Sequence, residues 1–483
     1  MRASRPPRRW IARGLVLAVV LSLLAPATAA ALTGGSNEPG ELSRGTVRSA
    51  ATGSTVVGVQ GFHFRGRGSA KKPARLVSVA PRGRTEWVFE GEAVGARWFY
   101  DVDPLPDGNL LVVATNASHT IVFELDPATR ERVWVETLPL ADTHDVDALN
   151  DTHLVVADKD GWNGRTSGDR VFVYDRTRDT VTWEWRFREH LPGDLNGGVS
   201  RDWSHVNDVD TVGEHGLLIS PRNFDQVLLV NRTTERIEWR LGADGEHGTL
   251  YEPHNPDYLL TEAGEPTVLV ADSENDRVVE YTRVDGGEAS NASRTSSDSS
   301  DGKWTRTWSV GSSRTLSWPR DADRLPNGNT LVVDSMNHRV IELTPRGEVV
   351  WEYYATWGPY DAERVVHGDG SNGPTMRDLG VTGHHEVRGS AGDVDAPRGR
   401  SFAAWLGTAV TGTPAEDTGT DLARTWSHVG PWLRPAWLNS WDFAALVGGL
   451  LLAFGWGAVE VLLALRRASK RAVAERERPR RTE

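Results

Sequence analysis

One pattern recurs along the middle of the chain and limits what it can fold into. A short acidic segment is followed by an alternating apolar stretch, then a second one, then a stretch that carries tryptophan. The clearest copies are YDVDPLPDGNLLVVATN from Tyr100 and RDADRLPNGNTLVVDSMN from Arg320. Others start at His144 (HDVDALNDTHLVVAD), Asn207 (NDVDTVGEHGLLIS) and His254 (HNPDYLLTEAGEPTVLVAD). The tryptophan returns as Trp87, Trp134, Trp183, Trp239, Trp308 and Trp351. Period-two alternation bounded by Gly, Asn, Asp and Pro reads as short antiparallel strands. Four such strands per repeat describe a propeller blade. No helical periodicity competes with this outside two apolar segments at the ends.

The first unit holds only three strands before Trp87: Thr55–Gln60, Arg75–Ala80 and Thr85–Phe89. It lacks an innermost one. After the last tryptophan strand, Tyr360-Asp-Ala-Glu-Arg364 matches Arg320-Asp-Ala-Asp-Arg324. Residues 360–364 are therefore expected to supply the missing strand and close the ring, which removes exposed sheet edges. The expectation is an all-β fold: a six-bladed β-propeller over residues 54–365, closed by a C-terminal strand. Two insertions interrupt it, Trp162–Arg170 and the Ser/Asp-rich stretch Val284–Lys303, the latter read as a surface or disordered loop. Residues 366–440 read as a polar, irregular juxtamembrane region.

One or two transmembrane helices are expected at the chain ends. Gly14–Leu32 carries no charge, so residues 1–33 read either as a signal peptide or as a spanning helix that stays. Phe443–Leu465 (443–465) is a second apolar run with one charge, Glu460, followed by a basic tail over 466–483. Trp432, Trp437 and Trp441 stand where an aromatic belt would lie. Basic flanks at both ends put both termini in the cytoplasm and the propeller outside. The whole chain carries −12 although its two ends are basic, so the body is strongly acidic. Such a body repels phosphates and argues against nucleic acid as a partner. Lysine occurs only at positions 71, 72, 159, 303 and 470, and an acidic, lysine-poor surface suits a halophilic setting. Cysteine is absent, which excludes disulfides, thiolate metal sites and cysteine nucleophiles.

The repeat also makes a geometric statement. The residue just before the first Asp of the innermost strand is Tyr100, His144, Asn207, His254, Arg320 or Tyr360. Equivalent positions surround the propeller axis, so these six polar side chains should converge at one mouth of the central channel. His205, two residues before Asn207, should reach the same mouth. Arg222, in Ser220-Pro-Arg-Asn223, aligns with Thr115, Glu274 and Met336 and is peculiar to its blade. Imidazoles beside a guanidinium suit an anionic tetrahedral group, because arginine offers a planar fork of donors. Neutral histidine can also act as a nucleophile. The repeated aspartates, such as Asp145 and Asp208, read as structural. Three histidines also permit a metal centre, hence a metal-dependent hydrolase, although they come from three blades without short ligand spacing.

The run His205-Val-Asn207-Asp-Val-Asp, then Leu217-Leu-Ile-Ser-Pro-Arg222-Asn, then Arg236-Ile-Glu-Trp239-Arg-Leu-Gly, resembles the core of the bacterial arylsulfate sulfotransferases. The resemblance covers roughly Thr55 to Arg364. It implies a sulfuryl transfer from an aryl sulfate ester to a phenol, without a nucleotide donor or cofactor. Carried over by position, His254 would be the nucleophile forming a sulfohistidine. His144, His205, Asn207 and Arg222 would surround the sulfuryl oxygens, and His144 or His205 would protonate the leaving oxygen. Tyr100, Arg320 and Tyr360 complete the expected substrate-binding ring. The competing expectation is a non-enzymatic propeller binding a protein or glycan, since Asn275-Asp-Arg-Val and Asn337-His-Arg-Val are similar to NHL-type repeats.

Overall fold

The computed structural model describes residues 8–33, 42–61, 73–284 apart from 117 and 160, 303–390, 402–434, 438 and 440–476. Glu41–Trp432 form one body, and Met1–Gly40 with Leu433–Glu483 form the other.

The larger body is a six-bladed β-propeller. Pro359–Arg364 is the inner strand of blade 1 and pairs antiparallel with Thr55–Val59, so the chain closes its own ring. The inner strands that follow are Trp98–Pro104, Val146–Asn150, Val206–Val212, Pro253–Leu260 and Pro319–Arg324. Two blades gain a fifth, outer strand. Ser43–Val47 adds to blade 6, and Gly383–His385 runs parallel to the outer strand of blade 5. Both cover edges that a four-stranded blade would expose. Six apolar clusters lie between neighbouring blades, one per junction; Leu111, Val113, Val156 and Phe172, for example, fill the gap between blades 2 and 3. This explains the near-continuous apolar middle strands, which are buried on both faces.

The recurring tryptophan has a local cause in two blades. Trp308 donates its indole N–H to the Pro345 carbonyl at 2.8 Å, and Trp351 donates to that of Pro81 at 3.1 Å. Each thereby ties an outer strand to a turn of the next blade. Arg324 and Arg364, at the ends of inner strands, reach back one blade to Glu280 and Glu342 at 3.1 and 2.9 Å. The two NHL-like motifs are also structural. Asn275 and Arg277 both donate to Asp272, and Asn337 and Arg339 to Asp334.

Insertion Trp162–Arg170 is irregular with a bend at 164–166, and Arg170 opens the third strand of its blade, while residues 285–302 of the second insertion lie outside the described residues. The reading of 366–440 as irregular needs correction. Two helices stand there, α2 (Phe402–Val410) and α3 (Glu416–Leu433). Short length and a proline at 431 hid them from a periodicity search. Before them, residues 371–376 pass beneath the propeller. Ser371 donates its amide to Asp257, and the Met376 amide donates to Glu280. Gly373 is required there, because a Cβ would lie 2.0 Å from the Leu325 carbonyl oxygen.

In the second body, α1 (Arg8–Thr33) packs along α4 (Ser440–Arg476). Both helices are long and apolar enough to cross a bilayer. Glu460, the single charge within the apolar run 443–465, accepts two bonds from the Arg13 guanidinium, at 2.8 and 2.5 Å. Of the three belt tryptophans, Trp437 lies outside the described residues. Trp432 belongs to the propeller body, where its ring lies against Gly358.

Candidate active site

The expected ring forms at one mouth of the central channel, and a repeated irregularity builds it. The inner strands of blades 1, 2 and 6 each carry one extra residue relative to their partners, and the extra residues are Tyr360, Tyr100 and Arg320. Blades 4 and 5 have the same bulge between Val206 and Val209 and between His254 and Asp257. A bulge breaks the two-residue alternation and re-aims a side chain. Two residues before five of the six ring positions, all but Tyr100, the backbone turns left-handed. This holds at Asp142 (φ 65°), His205 (43°), Glu252 (48°), Trp318 (52°) and Gly358 (65°). Four of these are not glycine, and each costs on the order of 1–2 kcal/mol. Side chains of the preceding blade hold the strained turns. Asp225 accepts the Glu252 amide at 3.0 Å, and Asp276 accepts that of Trp318 at 2.9 Å.

The side chains then meet as expected. The His144 ring lies 4.0 Å from Tyr100, 5.1 Å from His205 and 5.7 Å from Tyr360, centroid to centroid. Tyr360 is 6.0 Å from the His254 ring and carries the Arg320 guanidinium over its face at 4.5 Å. Asn207 donates to the Pro253 carbonyl at 3.1 Å, which fixes the strand start beside His254. Arg222 lies 3.5 Å from Glu252 and donates its Nε–H to Asn223 at 3.2 Å. Apart from Arg222 these ring side chains are buried. Among the described residues, His144 Nδ1, His205 Nε2, Asn207 Oδ1, Arg320 Nε and the Tyr360 hydroxyl are buried without a hydrogen-bond partner in the protein. Each orphaned buried polar atom costs roughly 1–3 kcal/mol. Five around one mouth describe a site shaped for a polar ligand.

Electrostatics set the protonation of the histidines. Burial holds His254 well below the usual imidazole range, and Arg320 and Arg222 add to this. Burial likewise lowers His144, then Lys159; for His205 the next cause is Arg222. All three are thus neutral at pH 7. The tautomer of His254 follows from its neighbours. Nδ1 lies 3.0 Å from the Glu252 carbonyl, which only accepts, so Nδ1 carries the hydrogen and Nε2 the lone pair. His205 Nδ1 lies 2.6 Å from Asp202, which likewise leaves Nε2 as the basic nitrogen.

Two corrections follow for the residues around the ring. A single helical turn starts directly after the second strand in blades 4, 5 and 6, at Arg222, Ser273 and Ser335. The equivalents of Arg222 are therefore Ser273 and Ser335, not Glu274 and Met336. A one-residue offset entered because the bulges are invisible in the sequence. Ser273 matters, since its hydroxyl lies 2.8 Å from His254 Nδ1. Lys159 was missed; it follows the second strand of blade 3 as Arg222 follows that of blade 4, and it pairs with Asp142 at 2.8 Å. Its rarity in a chain with five lysines was the available signal.

Deeper in the channel the repeated aspartates staple neighbouring blades. Asp361 accepts the Val102 amide at 2.9 Å, Asp147 that of Thr211 at 2.8 Å, and Asp321 that of Ala362 at 3.2 Å. Among the described residues no three His, Asp or Glu side chains are disposed to hold a metal ion. Burial raises Asp145 to about 7 and Asp257 to about 6. In the folded state these carboxyls keep their protons until the pH nears about 6 for Asp257 and about 7 for Asp145, whereas an unfolded chain releases them near pH 4. Their contribution is full below about pH 4 and is lost as pH rises towards 7. Asp323 is also raised, by burial and then by Asp321 and Asp257. Asp323→Asn should therefore raise Tm at pH 8 by several degrees and have little effect at pH 4, measured by thermal unfolding.

The fold and this mouth define a class: a closed six-bladed β-propeller whose channel opening is lined by neutral histidines, tyrosines and fixed cations. Residues 72–307 match the family model Arylsulfotransferase (ASST). Over that stretch the chain is similar to the family that the sequence resembles. The match contains Tyr100, His144, His205, Asn207, Arg222 and His254, while Arg320 and Tyr360 lie beyond it. No curated protein matches the chain significantly. Similar solved structures include a Bacteroides caccae protein of unknown function, with 13% identity over 71% of this chain and 100% of that one and a TM-score of 0.41. The periplasmic gluconolactonase of Pseudomonas aeruginosa has 15% identity over 67% and 87%, with a TM-score of 0.39. A virginiamycin B lyase of Staphylococcus aureus has 9% identity over 65% and 88%, with a TM-score of 0.35.

Proposed function

We propose that the protein is a membrane-anchored arylsulfotransferase that works through a sulfohistidine at His254. The observation that carries this reading is the pairing of a neutral, tautomerically fixed His254 with the fixed cations Arg320 and Arg222. Nε2 attacks the sulfur of an aryl sulfate. The N–S bond forms as the S–O(aryl) bond breaks, and the electron pair leaves with the oxygen as phenolate. Charge spreads over the non-bridging oxygens and the departing oxygen, where pre-placed donors lower the barrier most. In the second half-reaction the acceptor phenol attacks the sulfur. His205 Nε2 takes its proton, and the N–S pair returns to His254. Both His144 and His205 are held unprotonated by burial and nearby cations, which suits a proton acceptor and not the expected role as acid towards the first leaving oxygen. A phenolate leaves readily without protonation. The test is release of 4-nitrophenolate from its sulfate ester, with a phenol acceptor, no nucleotide, and salt varied up to molar levels.

The Arg13–Glu460 pair supports retention of the first helix as a second span. An ionised carboxylate within an apolar helix is costly unless paired, and removal of α1 would strand Glu460. Both termini then face the cytoplasm and the propeller faces outward. N-terminal peptide mapping of membrane-extracted protein should recover residues 8–33. A start after Ala29 would overturn this topology.

A further inference from the structure

Lys159 is a cation at the mouth that the transfer steps leave without a task. It follows the second strand of blade 3 as Arg222 follows that of blade 4. Its side chain is 12% exposed, and its ammonium pairs with one Asp142 oxygen at 2.8 Å. The other Asp142 oxygen accepts the Tyr100 hydroxyl at 2.5 Å. The Tyr100 ring in turn lies 4.0 Å from that of His144. Asp142 thus holds the ammonium beside Tyr100 and His144 while engaging one of its three N–H donors. The charge also faces the ring histidines. Burial lowers the His144 pKa and Lys159 is the next cause; burial lowers that of His205, followed by Arg222 and then Lys159.

Blade geometry decides what this cation meets. In a six-bladed ring, blade 5 faces blade 2 across the axis. His254 therefore stands opposite Tyr100, and the Tyr360 ring lies between them, 6.0 Å from the first and 5.0 Å from the second. Displacement at sulfur, like that at phosphorus, keeps the attacking and leaving atoms roughly in line. With His254 Nε2 attacking, the departing oxygen points towards blades 2 and 3. The Tyr100 O–H there is already given to Asp142, so the charged donor is Lys159. The other side of the mouth is covered by α3, which seats Arg424 against Glu274, His428 on Trp318 at 5.4 Å and Trp432 against Gly358, at blades 5, 6 and 1. We propose that Lys159 is a further catalytic residue, whose ammonium contacts the bridging oxygen of the aryl sulfate and stabilises the phenolate that leaves. This rests on the sulfuryl-transfer reading and adds the group that receives the leaving oxygen. In the first half-reaction the S–O(aryl) electron pair stays on that oxygen beside the ammonium, and no proton moves. In the second, the acceptor oxygen takes the same place and its proton passes to His205 Nε2. A fixed charge lowers the barrier most where most negative charge develops. A nitro group already draws that charge into the aryl ring, so donors without one depend more on Lys159.

The test compares phenyl sulfate with 4-nitrophenyl sulfate in single-turnover release of the phenol, on the detergent-solubilised full chain. Lys159→Met should slow release from phenyl sulfate by about a hundredfold or more, and from 4-nitrophenyl sulfate by about tenfold or less. Lys159→Gln can still donate to Asp142, so it preserves the local turn, and should show the same split. Lys159→Arg keeps the charge and should recover most of the phenyl sulfate rate. The Kd of methanesulfonate, which has no bridging oxygen and does not turn over, should stay unchanged in all three. Equal losses with both donors in the Met and Gln variants, or a loss matched by weaker methanesulfonate binding, would overturn the assignment while the sulfuryl site stands. If wild type neither releases a phenol nor binds methanesulfonate, the sulfuryl-transfer reading fails and this inference falls with it.

Discussion

His254→Ala should abolish the fast release of 4-nitrophenolate and lower kcat by at least about a thousandfold, because a covalent route loses its nucleophile. Its fold should survive. The imidazole makes two hydrogen-bond contacts, with the Glu252 carbonyl and Ser273, and one ring contact, with Tyr360, and is not part of an apolar cluster. A Tm within a few degrees of wild type would separate lost chemistry from lost structure. Free imidazole offers a second readout, since a small base entering the space left by the side chain should restore part of the turnover. Retention of wild-type burst amplitude in His254→Ala would reject the proposed nucleophile outright.

Arg222→Met should lower kcat by roughly a hundred- to a thousandfold, the usual consequence of removing one donor aimed at transition-state charge. KM for the donor should change much less, because the donor serves developing charge more than ground-state binding. Glu252 makes this variant informative. Its carboxyl lies 3.5 Å from Arg222 Nε, and burial already pushes its pKa up. Without Arg222 it should hold a proton more readily still. The activity remaining in Arg222→Met should therefore fall as pH rises through the raised Glu252 pKa, where the carboxyl ionises beside the sulfuryl group. Arg222→Lys should keep the charge but lose the fork of donors, and should lie between Met and wild type. Equal loss in kcat/KM and in affinity for methanesulfonate would instead make Arg222 a ground-state binding residue.

The repeat makes much of this architecture legible in the sequence. Blade count follows from the spacing of the tryptophan strands. Ring closure follows from the likeness of Tyr360–Arg364 to Arg320–Arg324. Convergence of the histidines follows from the equivalence of repeat positions, because that equivalence is a statement about geometry. What stayed hidden depends on local backbone form. A bulge leaves no mark on composition, so Arg222 was aligned one residue away from its true counterparts and Ser273 was overlooked. Left-handed turns at His205, Glu252 and Trp318 carry none of the glycines that usually announce them. Helix α3 escaped because its seat on the propeller uses three side chains four apart, too few for a periodic signal to stand out. Lys159 was passed over because its blade lacks the flanking residues that drew notice to Arg222.

The central claim is a covalent bond between sulfur and one imidazole nitrogen, and mass spectrometry of the quenched enzyme tests it most directly. Full-length protein mixed with 4-nitrophenyl sulfate and no acceptor, then quenched at alkaline pH where an N–S bond of this kind persists, should gain about 80 Da. Fragmentation should place the added mass on the peptide containing His254, and a phenol added before quenching should remove it. Turnover without any such mass gain, or a gain on a peptide holding His144 or His205 instead, would contradict the account.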